Sequence, residues 1–229
     1  MPLQFRSALL SVGLAFSLAL CQFSAAADEV SGHIQLPATP SVLLTAPISA
    51  WKPVLDRLDG WMTAQASKMA KPEEQIQVLV QRTLVAQARR DWSAALTAVR
   101  AARALQPSAS GRHTSGLLNE LLALHAQGKQ DSPWLREETR KVVLAMPWPE
   151  VEVSIRGLRQ ALVDMEAEGV RSHVSMKMDI STGVTQGWAA PGFVLQLLGL
   201  RFQLEQVLPQ RPALILGLDD AIREREANR

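Results

Sequence analysis

From Ser49 onward the chain repeats one pattern: apolar residues at steps of three, four and seven, interrupted by prolines, glycines and acidic caps. That period is the signature of amphipathic helices. Trp51, Val54, Leu55, Leu58, Trp61, Met62 and Met69 form the first stripe, with Pro53 tolerated in the opening turn. Lys71-Pro72-Glu73-Glu74 starts a second helix, because proline has no N–H to lose there and glutamates suit the positive end of the helix dipole. Ile76, Leu79, Val80, Thr83 and Leu84 are its expected buried face. Asp91 is a fitting N-cap for a third helix, with Trp92, Ala95, Leu96, Val99 and Ala102 inward and Pro107 as its stop.

The same reading places a helix over about Thr114 to Gln127 on Leu117, Leu118, Leu121, Leu122 and Leu124, with Gly128 as C-cap. Ser132-Pro133 opens another, which ends near Ala145. After Pro147-Trp148-Pro149, Val151, Ile155, Leu158, Leu162 and Met165 make a regular seam whose polar side carries Arg156, Arg159, Asp164 and Glu168. Two last helices follow Pro191 and Pro212, built on Val194, Leu197, Leu198, Leu204 and Leu208, and on Leu214, Leu218 and Ile222, before the charged end "REREANR". Between them and the rest, Gly169 to Gly187 alternates Val174, Met176, Met178 and Ile180, but no second alternating segment pairs with it. It reads as an irregular connection or short helix. The expectation is an all-α domain of about eight helices packed as α-hairpins, in a tetratricopeptide-like or irregular array. Trp61 and Trp92 read as core, and Trp134, Trp148 and Trp188 as lids over it.

The N-terminus follows a different pattern. Arg6 precedes an apolar run from Ala8 to Leu20, and Ala25-Ala26-Ala27 follows, the layout of a secretory signal peptide. A membrane anchor needs about 20 apolar residues, more than this run supplies. Cys21, the one cysteine of the chain, leaves a lipid anchor as the alternative, against which stands Leu20 where a small residue is usual. The expected organisation is a signal peptide over 1–27, an extended leader over 28–48 from which Val42-Leu43-Leu44 can dock on the body, and one helical domain over 49–229. Cleavage after Ala27 leaves no cysteine, so the fold stands without disulfides even in a periplasmic or extracellular compartment.

Charge narrows the partners. The chain has 24 Lys plus Arg, one of them Arg6, against 22 Asp plus Glu, interspersed rather than in blocks. Nucleic acid or a membrane surface would call for a concentrated basic face, so neither is expected as a partner. Candidate chemistry is sparse. The sequence has no Gly-x-Ser-x-Gly, no phosphate-binding glycine loop and no His-Glu-x-x-His, and His33, His113, His125 and His173 are too far apart for a local ligand pair. No catalytic residue, cofactor or metal site is expected.

Ala88 to Pro107 resembles the second helix of a tetratricopeptide repeat, in which an acidic-aromatic turn leads to small and large apolar residues and a closing proline. Asp91, Trp92, Ala95, Val99, Ala102 and Pro107 carry the likeness. Thr83 and Ala86 depart from it, and Arg90 stands where the family has a turn glycine. The resemblance implies a peptide-binding scaffold, whereas alanines at this spacing also simply let two helices approach closely. Separately, Gly192 to Ile222, with Arg201, Leu208-Pro209 and Ile222, resembles the helical region before the catalytic domain of some secreted subtilisin-like serine peptidases. That likeness implies a pro-region-like or chaperoning partner of such a peptidase. The function expected from both is a secreted, non-catalytic helical module that binds another protein or peptide. Its polar groove is expected from Gln77, Gln81, Arg82, Arg89 and Arg103, whose guanidinium groups suit peptide carboxylates.

Mass spectrometry of the exported protein should find Asp28 at the N-terminus, and a lipid on Cys21 would overturn the assignment.

Overall fold

The structure, a computed structural model, describes residues 33–66, 69–106, 111–128, 131–148, 150–166, 169 and 187–228. The expected signal peptide, the start of the leader, Pro107 and nearly all of Gly169 to Gly187 lie outside the described residues. The fold is all-α. Its helices are α1 (Pro40–Thr45), α2 (Lys52–Ala66), α3 (Pro72–Ala88), α4 (Trp92–Ala104), α5 (Gly111–Gly128), α6 (Ser132–Leu144), α7 (Glu152–Asp164), α8 (Pro191–Phe202) and α9 (Leu208–Ala227). A 3-10 turn, Ile48–Trp51, leads into α2.

Helix starts follow the local chemistry of the sequence. The Glu74 carboxylate accepts from the Lys71 N–H at 3.2 Å, and Asp91 and Asp131 cap α4 and α6 by accepting from the Ala94 and Trp134 N–H groups at 3.0 and 2.9 Å. The leader differs from its expected extended form. From residue 33 it belongs to the body: β1 (Ile34–Gln35) pairs antiparallel with β2 (Trp188–Ala189), and α1 buries Leu43 and Leu44 while Val42 stays 57% exposed. Apolar side chains of the leader therefore complete the same core that α2 begins.

The two C-terminal helices differ as well. They form one rod, joined by a π turn over Gln203–Val207 in which the Leu208 N–H bonds to the Gln203 carbonyl five residues back. Pro209 and Pro212 lie within the start of α9 rather than ahead of it. Proline lacks the N–H that would reach the carbonyl four residues earlier, and its ring crowds that carbonyl, so a widened turn just before Pro209 relieves the strain of continuing the helix. Around this rod lie two apolar clusters. Ile34, Leu43, Trp51, Leu55, Leu58 and Val85 pack with Phe193 to Leu200 of α8. Leu84, Leu118, Leu122, Leu135, Ile155 and Leu162 pack with Phe202, Val207 and Leu214 to Ile222. The π turn sits where the rod passes from one cluster to the other.

Helix neighbours explain the form. α3, α4 and α5 pack in sequence, but α8 returns to α1 and α3, and α9 lies along α6 and α7. These returns distinguish the chain from a solenoid, whose repeats touch only their neighbours. Ala213, Gly217 and Ala221 share one face of α9 at steps of four and bring it close to α6. A Cβ on Gly217 would stand 2.5 Å from the Arg136 carbonyl oxygen and 2.7 Å from Thr139 Cβ.

The tryptophans are redistributed relative to expectation. Trp51 is fully buried, whereas Trp61 and Trp92 are half-buried: Trp61 packs on the first apolar cluster from its margin, and the small Ala95 with Val99 fills the interior on the face that Trp92 shares. Trp134, Trp148 and Trp188 are half-buried too, as lids would be.

Gly217→Ala should destabilise the protein by about 1 to 3 kcal/mol through overpacking of α9 on α6. Gly60→Ala in α2, whose methyl meets nothing within 4 Å, should instead stabilise by about 0.5 to 1 kcal/mol. Urea denaturation of both variants checks the contrast.

Candidate functional site

The hairpin α3–α4 holds all five residues that the sequence proposes for binding. Its turn is closed without a glycine. Arg90 adopts the left-handed conformation with φ of 59°. Its N–H bonds to the Gln87 carbonyl at 2.9 Å and the Asp91 N–H to the Ala86 carbonyl at 2.9 Å. These two bonds form a Schellman cap, a geometry that glycine usually supplies. Asp91 then caps α4, so three residues, Arg89 to Asp91, join two well-defined helix ends.

α3 is central, flanked by α2, α4 and α8. Its C-terminal half is buried on nearly every side, at Gln81, Thr83, Leu84, Val85, Ala86 and Gln87. The expected apolar face of Ile76, Leu79 and Val80 is only half-buried, because that part of the helix lies near the edge of the bundle. What faces solvent is a ridge at steps of seven, Gln75, Arg82 and Arg89.

The five proposed residues therefore do not make one groove. Gln81 is 5% exposed and interior, and Gln77 is half-buried. Arg89 reaches across to α2, where it pairs with Asp59 and, at 3.0 Å, with Asp56. Asp56 also binds Lys52 at 2.6 Å, and that bond leads the causes that hold its carboxyl below the ordinary value. Arg103 lies on the opposite side of the hairpin against α5, paired with Glu120, which also takes Arg100 at 2.6 Å. Gly116 makes room there, since a Cβ would meet the Arg103 side chain at 2.7 Å. Nearby His113 has its pKa lowered, by burial first and by the Arg103 charge second. Arg82 is exposed, and no ion pair reaches it among the described residues. It is the guanidinium of the five that is open to a carboxylate from outside.

Groups that hold metals are not seen: among the described residues no cluster of three or more His, Cys, Asp or Glu is placed to bind an ion. No described helix is long and apolar enough to cross a membrane.

A second polar centre lies where sequence reasoning assigned no site. Arg201, 5% exposed, points from α8 toward the leader. Its Nη1 donates to the Ala46 carbonyl at 2.6 Å and the Leu43 carbonyl at 3.4 Å, and Nη2 pairs with Glu205 of the π turn at 2.5 Å. The guanidinium also lies 5.8 Å from the centroid of the Trp51 ring, whose Nε1 donates to the Leu43 carbonyl at 2.9 Å. The signal was present in the sequence, because Arg201 is the single charge between Gly192 and Leu204. The segment that resembles a peptidase pro-region is thus largely interior, with Arg201 and Ile222 both buried.

Arg90→Gly should raise stability by about 1 kcal/mol and the melting temperature by about 2 to 4 °C, since a non-glycine residue is strained in this conformation. Differential scanning calorimetry measures it, and an unchanged or lowered melting temperature would count against the strained-cap description.

Compared with known proteins, the chain matches no family model, no curated protein and no solved structure.

Proposed function

We propose that this chain is a secreted, periplasmic helical module that binds another protein or peptide and carries out no catalysis itself. The observation that carries the reading is the ridge on α3. Arg82 presents a guanidinium with no internal partner among the described residues, on a helix held rigidly by α2, α4 and α8. A rigid platform loses little entropy when a ligand docks, and a guanidinium offers a carboxylate two parallel hydrogen bonds. Arg89, one further step along the ridge, is committed to Asp56 and Asp59 and so keeps the helix in place rather than the ligand. The partner chemistry this favours is an acidic segment or a free C-terminal carboxylate.

Arg82→Glu should leave the fold intact and weaken capture of a periplasmic partner by at least about tenfold, the effect of losing one charge-assisted pair and gaining a repulsion. Arg223→Ala, an exposed arginine on α9, serves as the control and should retain the partner. Quantitative affinity capture with each variant decides, and a folded Arg82→Glu protein that keeps every partner removes the ridge as the binding site.

A further inference from the structure

The leader from Ile34 to Ala46 crosses the first apolar cluster as a strap, held at three points. The Leu36 N–H donates to the Gly187 carbonyl at 2.7 Å, Leu43 and Leu44 are buried, and the end of α1 is fastened by Arg201. The third point is unlike the others because it reaches into the C-terminal rod. Arg201 is a buried cation whose acceptors are divided between the strap, through Leu43 and Ala46, and the π turn, through Glu205. Its Nε has no partner among the described residues, so the guanidinium has no acceptor in reserve.

Lifting the strap would take the Leu43 and Ala46 carbonyls from this guanidinium and leave it only Glu205 and the face of Trp51. An under-satisfied buried guanidinium is strongly unfavourable, so the side chain has to turn toward water. The rod offers one place to accommodate that turn, the Gln203–Val207 segment just beyond it, where the helix is already wound wider than α. A π turn holds about one residue more than an α turn, and tightening it, against the crowding that the Pro209 ring imposes on a regular turn, would rotate α8 against α9 about their common axis. The rotation would turn α9 against α6 and α7 without breaking the hydrogen bonds inside those helices.

We infer that Arg201 joins the N-terminal strap and the π turn into one conformational switch, so that release of the strap resets the register of the C-terminal rod. This inference is independent of the proposed binding ridge. The strap is then a control element for the far cluster, which it does not touch.

Native-state hydrogen exchange on the full chain under rising denaturant tests it. The Leu36 and Leu43 amides report the strap, the Leu208 amide, bonded to Gln203, reports the π turn, and the Ile155 amide reports the far cluster. Leu36, Leu43 and Leu208 should exchange through one shared opening that leaves Ile155 protected. In Arg201→Met the shared opening should split, with Leu36 and Leu43 exchanging at least tenfold faster than Leu208. Protection of Leu208 throughout strap opening in the unaltered protein would overturn the inference, as would exchange of all four amides only by global unfolding. Should Arg201→Met fail to fold, the unaltered protein decides alone.

Discussion

Everything in this fold depends on one constraint: a single C-terminal rod has to complete two apolar clusters that the rest of the chain builds separately. α8 presents Phe193, Val194, Leu197 and Leu198 to the first, and α9 presents Leu214, Leu218 and Ile222 to the second. The two faces need not share an angular register on an ideal helix, and Pro209 and Pro212 interrupt the hydrogen bonds that would enforce one. The π turn at Gln203–Val207 reconciles these demands. It lets each half of the rod face its own cluster while the backbone continues unbroken.

The same rod finishes the polar groups at the ends of other helices. Arg201 donates to the Leu43 and Ala46 carbonyls at the end of α1, Arg211 to the Met165 carbonyl at the end of α7, and Arg225 to the Leu144 and Met146 carbonyls at the end of α6. The last carbonyls of a helix have no partner within it and carry the negative end of its dipole, so a cation from a neighbouring helix satisfies both. Acidic residues of α9 complete the attachment. Asp220 and Glu224 pair with Arg136 and Arg140 of α6 at 2.6 Å, while Asp219 and Glu226 pair with Arg159 and Arg156 of α7 at 2.6 Å. Arg136 holds the Asp220 carboxyl below its ordinary value of 3.8. A lowered carboxylate pKa adds stability above the unfolded value, and this is lost as pH falls through the folded one. Exposed pairs of this kind contribute little singly, and their effect here is to fix the direction in which α9 lies.

That use of charge shapes what remains for function. Arginines that a linear reading places on polar faces are largely engaged in holding helices together, Arg89 to α2 and Arg103 to α5. The Gln75–Arg82–Arg89 ridge stays open because α3 is enclosed on its other sides. The strap and the ridge lie on different faces of the chain's logic: one controls the rod from the N-terminus, the other offers a charge to solvent.

Sequence by itself determined the helices, because their periods, caps and breakers act within a few residues of each other. Asp91 and Asp131 cap where they stand, Pro72 opens α3, and the all-α class follows from the sum. The turn at Arg90 is local too, and only the identity of its residue departs from the pattern. Which side of a helix is interior was decided by tertiary structure. α3 is surrounded by three helices, so Gln81 is buried despite its polarity, and Trp92 is half-buried despite its size. The strap, the π turn and the destinations of Arg201, Arg211 and Arg225 likewise arise between residues up to 158 positions apart, as for Leu43 and Arg201. Periodicity records which residues share a face but not which partner covers it, and that partner exists only once the rod has folded back across the chain.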